Sequence, residues 1–259
     1  IGLGRRAPPK VRRRANRWTL AGRSPGPAMR GLVRELLEEA ERADERRLLV
    51  LAGEPDPTRD RAVEAIDAAD LEADTVRSLG VSDELPGTLL DPRRSGELLG
   101  TTYEAVVVDC HQACRPNTIG RAVGAVDGGG LLVLLTPPLD EWPDHRDEFD
   151  ESLAVPPYGV EDVSGHFRTR LVETLRQHPG VAIVEADGTV VRDGLTDSPE
   201  RNARPTPSPT ADSTFPAATF EACLTADQVR AVAAFDGIVA DGGAVVLESD
   251  RGRGQSSAA

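Results

Sequence analysis

The sequence predicts an α/β protein with a doubly wound parallel sheet, followed by the opening of a second domain that contains a phosphate loop. Short apolar runs bounded by glycine or proline alternate with amphipathic stretches, which is typical of parallel strands covered by helices. A segment rich in proline, serine and threonine separates this region from the rest of the chain. After it, residues 245–259 (VVLESDRGRGQSSAA) predict a buried strand, a glycine-rich turn and the start of a helix.

The first part of the chain predicts alternating helices and strands. In LVRELLEEAERADERR, the side chains of Leu32, Leu36 and Ala40 recur at helical spacing between charged residues, which indicates a surface helix packed on a core. The runs LLVLAG and AVVVDC are short and apolar, and therefore predict central strands. In order, the predicted elements are a helix from Met29, a strand at 48–53, a helix at about 58–69, a strand at 105–110 and a helix at 116–126.

A triple glycine at 128–130 predicts a turn before a third buried strand. It precedes its strand, whereas the glycines of a dinucleotide-binding fingerprint follow one. In the next helix we expect Phe167, Leu171 and Leu175 to face inward. The remaining predicted elements of this domain are a strand at 131–138, a helix at 165–178 and a strand at 181–188.

Composition divides the chain into four parts. Residues 1–28 hold eight of the 30 basic residues and no acidic residue, and we expect a disordered leader that is not native, with Met29 as the true start; a disordered arm that contacts RNA is the alternative. Residues 29–195 form the α/β domain and 196–216 a linker. Residues 217–259 begin a second, incomplete domain, with a capping pair of Thr225 and Gln228 at its helix.

The overall charge excludes some classes of protein. Acidic residues outnumber basic ones by 43 to 30, for a net charge of −13, which argues against a nucleic-acid footprint along the whole chain and suits a salt-rich cytoplasm. Three cysteines are too few for a disulfide framework in a chain of this length. No apolar run reaches 18 residues, so we expect a cytoplasmic protein without a membrane partner.

The C-terminal loop matches a nucleotide-binding template with one departure. Against G-x-x-x-x-G-K-S/T, Ser249 replaces the first glycine, whereas Gly254 and Ser256 fit. Gln255 stands where the template has lysine. Glutamine is either the native residue at this position or a sequence error for lysine. Because a neutral amide cannot neutralise phosphate charge, we expect weak ATP binding and impaired hydrolysis.

Four segments together resemble the RNA cytidine acetyltransferase family of the tRNA(Met) type. They are YEAVVVDCHQACRPNTIGRAVGAVDGGGLLVLLTPPLDEW, GHFRTRLVETL, LTADQVRAV and SDRGRGQSSAA. The resemblance implies a Rossmann-like N-terminal domain followed by a RecA-like ATPase, of which this chain holds only the start. It also implies ATP-dependent formation of N4-acetylcytidine in tRNA or another structured RNA, with an acetyl-CoA site beyond Ala259. No catalytic residue is therefore predicted within this chain, and the oligomeric state stays open.

The resemblance assigns residues only to ATP and Mg²⁺. Gln228 would contact the adenine edge, although a plain capping role is the alternative. Ser256 would be the hydroxyl ligand of Mg²⁺. The predicted ATP-binding residues are Gln228, Asp250, Arg251, Gly252, Arg253, Gly254, Gln255, Ser256 and Ser257.

Other interpretations remain open at this point. A non-hydrolysing phosphate-loop scaffold or regulatory module is the alternative function, and an unrelated helicase is the third. Cys110, His111 and Cys114 form a C-H-x-x-C cluster that would suit a metal, against two buried thiols and a solvent-facing histidine. The acidic run at 140–151 predicts a solvated loop anchored by Trp142 and Phe149, with cation binding as the alternative.

Overall fold

A computed structural model of the protein describes residues 26–196, 213–223, 226–239, 242–244 and 246. The chain divides into two compact units, residues 1–199 and 200–259. Residues 1–25 of the predicted leader and 197–212 of the predicted linker lie outside the described residues. The four-part organisation of the chain therefore stays a prediction.

The first unit alternates helices and strands as the sequence predicts. Its helices are α1 (Pro27–Ala43), α2 (Pro55–Ala68), α3 (Pro116–Ala125), α4 (Glu148–Glu151) and α5 (His166–Gln177), with 3-10 turns at Pro92–Leu98, Trp142–Asp144 and Val160–Asp162. Its strands are β1 (Arg47–Ala52), β2 (Val76–Leu79), β3 (Thr88–Leu90), β4 (Tyr103–Asp109), β5 (Val126–Thr136), β6 (Val181–Glu185) and β7 (Val190–Arg192).

The strands form one sheet in the order β3-β2-β4-β5-β1-β6-β7. Each neighbouring pair is parallel except β6 and β7, which are antiparallel. The predicted α/β class with a doubly wound parallel sheet is confirmed. Because β5 lies between β4 and β1, loops that follow β4 and β1 meet above the end of β5.

Helices cover both faces of the sheet. Leu49 and Leu51 of β1 pack with α1 and α2, while Val50 and Ala52 pack on the other face with α3 and α5. Successive side chains of a strand point to opposite faces, so a central strand covered on both sides must be apolar throughout. This is why the short apolar runs identify these strands in the sequence.

The triple glycine is not a turn before its strand, as predicted, but part of β5. Val126 pairs with Tyr103 and Leu131 with Ala105, so the residues between them bulge from the ladder. Gly129 has φ +83°, and its N–H donates to the Glu45 carbonyl at 2.8 Å. Glycine permits this conformation in a bulge as readily as in a turn, which explains the error.

Two further features of the first unit differ from prediction. The short strands β2, β3 and β7 are not predicted, because they contain only three or four residues. The prediction that the acidic run is a solvated loop is wrong for Asp147 and Asp150. Both are buried: Asp147 caps α4 and Asp150 lies within it. Trp142 is fully buried, so its predicted anchoring role is confirmed.

In the second unit, the described helices are α6 (Ala217–Glu221) and α7 (Ala226–Val239). Val232 of α7 is buried. The buried strand predicted just before the phosphate loop is not formed at Ala244 or Val246, the two of its residues that are described. Val246 is 89% exposed. Among the described residues of this unit there is no partner strand to complete a ladder. Of the helices that the structure describes, none combines the length and apolarity needed to span a bilayer.

Candidate functional site

The carboxyl ends of the central strands bring a polar cluster together, as open α/β sheets commonly do at ligand sites. Asp109, the last residue of β4, is nearly fully buried. Its Oδ1 accepts hydrogen bonds from the backbone N of His111 at 3.1 Å and from His111 Nδ1 at 2.7 Å. Its Oδ2 lies 3.2 Å from Arg59 Nε, which α2 delivers from the opposite side.

His111 connects two strands that are not neighbours. Its Nε2 lies 2.9 Å from the carbonyl oxygen of Gly53, which follows β1, so the imidazole spans the end of β5. Both ring nitrogens lie within hydrogen-bonding distance of an oxygen atom, so the ring is held at both ends. The prediction of a solvent-facing histidine is wrong, since only 9% of the side chain is exposed.

Burial opposes ionisation of Asp109, but hydrogen bonds from His111 and the charge of Arg59 outweigh it and hold the pKa of Asp109 below its ordinary value. A carboxylate with a depressed pKa in the folded state stabilises the fold above its unfolded pKa, about 3.9. That contribution is lost as the pH falls through the folded pKa. Asp109 is therefore ionised at neutral pH, and both of its carboxylate oxygens accept hydrogen bonds within the cluster.

We expect Asp109→Asn to destabilise the protein at pH 7 and progressively less as the pH falls, because the wild type loses the same interaction on protonation. The check is the urea unfolding midpoint of both proteins at a series of pH values between 7 and 2.5. Glu84→Gln is the control, since Glu84 is exposed and only approaches Arg59, at 4.0 Å. A difference between Asp109→Asn and wild type that does not change with pH would contradict the assignment.

The two thiols of the C-H-x-x-C cluster are buried and free. A hydrogen bond that the Cys110 thiol donates to Cys114, together with burial, raises the pKa of the Cys110 thiol well above its usual range. A metal ligand or nucleophile needs the thiolate, so this environment disfavours both roles. The described residues contain no group of three or more metal-ligating side chains. The structure thus has two buried, free thiols at this point of the fold.

A second buried charge cluster supports the loop that follows this site. Arg168 of α5 donates from Nη1 to Asp150 Oδ1 at 3.1 Å and from Nη2 to Asp147 Oδ2 at 2.8 Å. Asp147 also accepts from the backbone N of Cys114 at 2.8 Å and caps α4. The loop after β4 is thereby tied to α5.

Next to Asp109, a cleft opens at the carboxyl edge between β2 and β4. Three of its polar side chains lie on its rim: Arg93, Gln112 and Glu148. Glu148 accepts from Gln112 Nε2 at 2.7 Å and pairs with Arg93 Nη2 at 3.3 Å. Arg115, also in the lining, lies over the ring of Phe149, 5.8 Å from its centroid.

Of the ATP-binding residues predicted from the sequence, Gln228 alone belongs to the described residues. Gln228 lies in the first turn of α7 in the second unit and is buried. Thr225 and all of residues 249–259, which include Asp250 to Ser257, lie outside the described residues. The adenine contact of Gln228, the phosphate loop and the Mg²⁺ ligand Ser256 therefore stay predictions.

Sequence reasoning missed the cluster that the structure shows. An acidic residue at the end of a buried strand, followed two residues later by histidine, is a usable signal for Asp109 and His111. Arg59 and Arg168 carry no such signal, because their partners are 50 and 18 residues away in sequence.

Comparison with known proteins places this fold and site in a family. A family described as "tRNA(Met) cytidine acetyltransferase TmcA, N-terminal" matches residues 27–186. The tRNA(Met) cytidine acetyltransferase TmcA of Haloarcula marismortui is 57% identical over 88% of this chain and 30% of its own length, and that of Haloferax volcanii is 50% identical over 90% and 31%. The tRNA(Met) cytidine acetyltransferase TmcA of Nitrosococcus halophilus is 34% identical over 89% of this chain and 30% of its own length.

The chain thus spans about 30% of the length of these relatives. The matched region runs from the start of α1 past the end of β6, and it includes every residue of the Asp109 and Arg168 clusters. It also covers more than half of the 259 residues. The resemblance inferred from the sequence is confirmed: the chain belongs to the tRNA(Met) cytidine acetyltransferase TmcA family, whose N-terminal domain it contains.

Proposed function

We propose that this chain supplies the N-terminal region of an ATP-dependent RNA cytidine acetyltransferase, a cytoplasmic enzyme that forms N4-acetylcytidine in tRNA from acetyl-CoA. The observation that carries the proposal is the match to the family's N-terminal domain over residues 27–186, together with 57% identity to a tRNA(Met) cytidine acetyltransferase over 88% of the chain. Acetyl transfer itself is assigned to a part of the protein outside these 259 residues.

In this proposal the two units have different tasks. The first unit is an α/β scaffold, in which Arg59, Asp109 and His111 satisfy one another's hydrogen bonds at the carboxyl edge of the sheet. The second unit holds ATP and Mg²⁺ through Arg251, Gly254 and Ser256 of the loop and through Gln228. ATP turnover would remodel the RNA so that a cytidine amine reaches acetyl-CoA.

A chimaera tests the acetyltransferase assignment. We expect the Haloarcula marismortui relative, with its matched region replaced by this chain, to form N4-acetylcytidine in tRNA(Met) when given ATP and acetyl-CoA, as measured by mass spectrometry of digested tRNA. The same relative without its matched region is the negative control. A folded chimaera that binds tRNA and makes no N4-acetylcytidine, both with Gln255 and with Gln255→Lys, would contradict the proposal.

Residue 255 decides how well the loop binds ATP. We expect Gln255→Lys to tighten Mg²⁺-ATP binding by about tenfold, or about 1.4 kcal/mol, because lysine adds a point charge at the β- and γ-phosphates. Equilibrium binding of labelled ATP to the 259-residue chain measures the change. Gln177→Lys adds the same charge at the exposed end of α5 and serves as control. Equal affinities of the wild-type protein and the Gln255→Lys variant would remove residue 255 from the phosphate site.

The alternative is a non-hydrolysing phosphate-loop scaffold, and the neutral side chain of Gln255 is the observation that favours it. The two functions differ in the chimaera. Acetylation that depends on ATP hydrolysis supports the enzyme, whereas ATP binding without hydrolysis or acetylation supports the scaffold.

A further inference from the structure

The cleft between β2 and β4 has the position and size of a small ligand site. Its lining includes Gly80 after β2 and Gln112 and Arg115 after β4, all at the carboxyl edge of the sheet, where α/β folds place ligands. Its volume of about 120 Å³ is well below the roughly 300–1,000 Å³ of pockets that enclose a drug-sized molecule. The cleft can therefore take one small group but not a whole nucleotide.

Arg115 is the cation in this cleft that lacks a carboxylate. Within the part of the chain that the structure describes, its guanidinium contacts the face of Phe149 and forms no ion pair. Stacking on an aromatic ring holds a guanidinium in place and leaves the N–H groups at its edge for acceptors in its plane. Two parallel N–H groups match two oxygens of a carboxylate or phosphate.

Among the described residues, none of the cleft's carboxylates forms an ion pair with Arg115, because each has another hydrogen-bond donor. Asp91 accepts from the backbone N of Arg93 at 2.8 Å, and Asp109 is engaged by Arg59 and His111. Glu148 is shared between Arg93 and Gln112.

The pair formed by Arg93 and Glu148 is open to solvent, since 73% of the Arg93 side chain is exposed. Exposed pairs of this kind contribute little to stability. An anion in the cleft can therefore recruit Arg93 and the amide of Gln112 at little cost.

The geometry points to a phosphate site in the cleft between β2 and β4, with Arg115 as the principal ligand and with Arg93 and Gln112 as further donors. The ligand is a single phosphate group, carried by an RNA backbone or by the end of a nucleotide. The residues of this site all belong to the first unit, and none of them is part of the predicted ATP loop. It would give the first unit a binding role of its own beside its role as a scaffold.

Nuclear magnetic resonance of the ¹⁵N-labelled 259-residue chain tests the site. Inorganic phosphate, ATP and a short single-stranded RNA are titrated separately at low salt, and the amide signals of Gly80, Gln112 and Ala113 are followed. We expect these signals to shift, and Arg115→Gln to weaken the binding by about tenfold, since one charge-assisted contact is lost. Arg94→Gln is the matched control, because Arg94 is an exposed arginine paired with Glu97 outside the lining.

The outcomes separate the sources of the phosphate and the two proposals. Tighter binding of RNA than of ATP at the cleft identifies a backbone site, and the reverse identifies a nucleotide site. Should Arg115→Gln unfold the protein, Arg93→Gln tests the same donors. The proposal is overturned if none of the three probes moves the cleft signals, or if the folded Arg115 variant binds as tightly as Arg94→Gln. If ATP does not shift the amide signals of residues 249–257, that result contradicts the predicted ATP loop and leaves the cleft proposal unaffected.

Discussion

Replacing Arg168 with methionine is expected to lower the free energy of unfolding by about 3–5 kcal/mol, because removing one partner of a buried ion cluster leaves its counter-charges uncompensated. Arg168 and both of its partners, Asp147 and Asp150, are almost completely shielded from solvent. Burial disfavours the charged form of Asp150, yet the hydrogen bond from Arg168 and the backbone N–H of Asp147 hold its pKa below the ordinary value. Without Arg168, that compensation disappears.

Urea unfolding at pH 7 measures the loss. The matched control is Arg176→Met on the same helix, whose pair with Asp140 is exposed and is worth about 0–1 kcal/mol. The difference between the two variants is expected to narrow at acidic pH, where Asp150 is neutral in both the folded and the unfolded state. Equal losses for the two variants would show that the Arg168 cluster does not stabilise the fold.

The second large effect is expected at Glu39 of α1. Its Oε1 accepts from Arg47 Nη2 at 2.8 Å and from Thr196 Oγ1 at 2.8 Å, and its Oε2 accepts from the backbone N of Thr196 at 2.9 Å. Glu39→Ala is expected to cost about 3 kcal/mol, at the low end for broken buried pairs, because Arg47 keeps a contact with Glu45 at 3.0 Å.

This variant also has a local readout. Hydrogen exchange at the amide of Thr196 is expected to accelerate along with the loss of stability, since Glu39 is its acceptor. Glu38→Ala is the control, because Glu38 is an exposed neighbour on the same helix and surface changes stay within about 0.5 kcal/mol. Unchanged exchange at Thr196 in Glu39→Ala would show that the buried network does not hold the end of the first unit.

The strands that the sequence identifies are those buried on both faces. β1, β4 and the second half of β5 each contain a continuous apolar run, because each lies between two helical layers. β2 and β3 are short and carry polar or exposed side chains near the edge of the sheet, so their pattern does not differ from that of a loop. The triple glycine was assigned to a turn because a bulge and a turn require the same freedom of φ.

The candidate site, too, can be predicted only in part from the sequence. Membership of the family and the predicted phosphate loop follow from local motifs, since the residues of each motif are adjacent in sequence. The cluster of Arg59, Asp109 and His111 joins a helix, a strand end and a loop across 50 residues or more, and no local pattern encodes such a meeting. The composition of the acidic run predicts a solvated loop, because it does not reveal that Arg168 reaches Asp147 and Asp150 from α5.

Local patterns of residues thus suffice for the α/β class, the order of the main elements and membership of the family, because periodicity and adjacent motifs are properties of short stretches of chain. The order of strands in the sheet, the bridge from His111 to Gly53 and the phosphate-sized cleft beside Asp109 arise only when distant segments pack. Buried charges find their partners through that packing, and sequence separation carries no information about which partner each one meets.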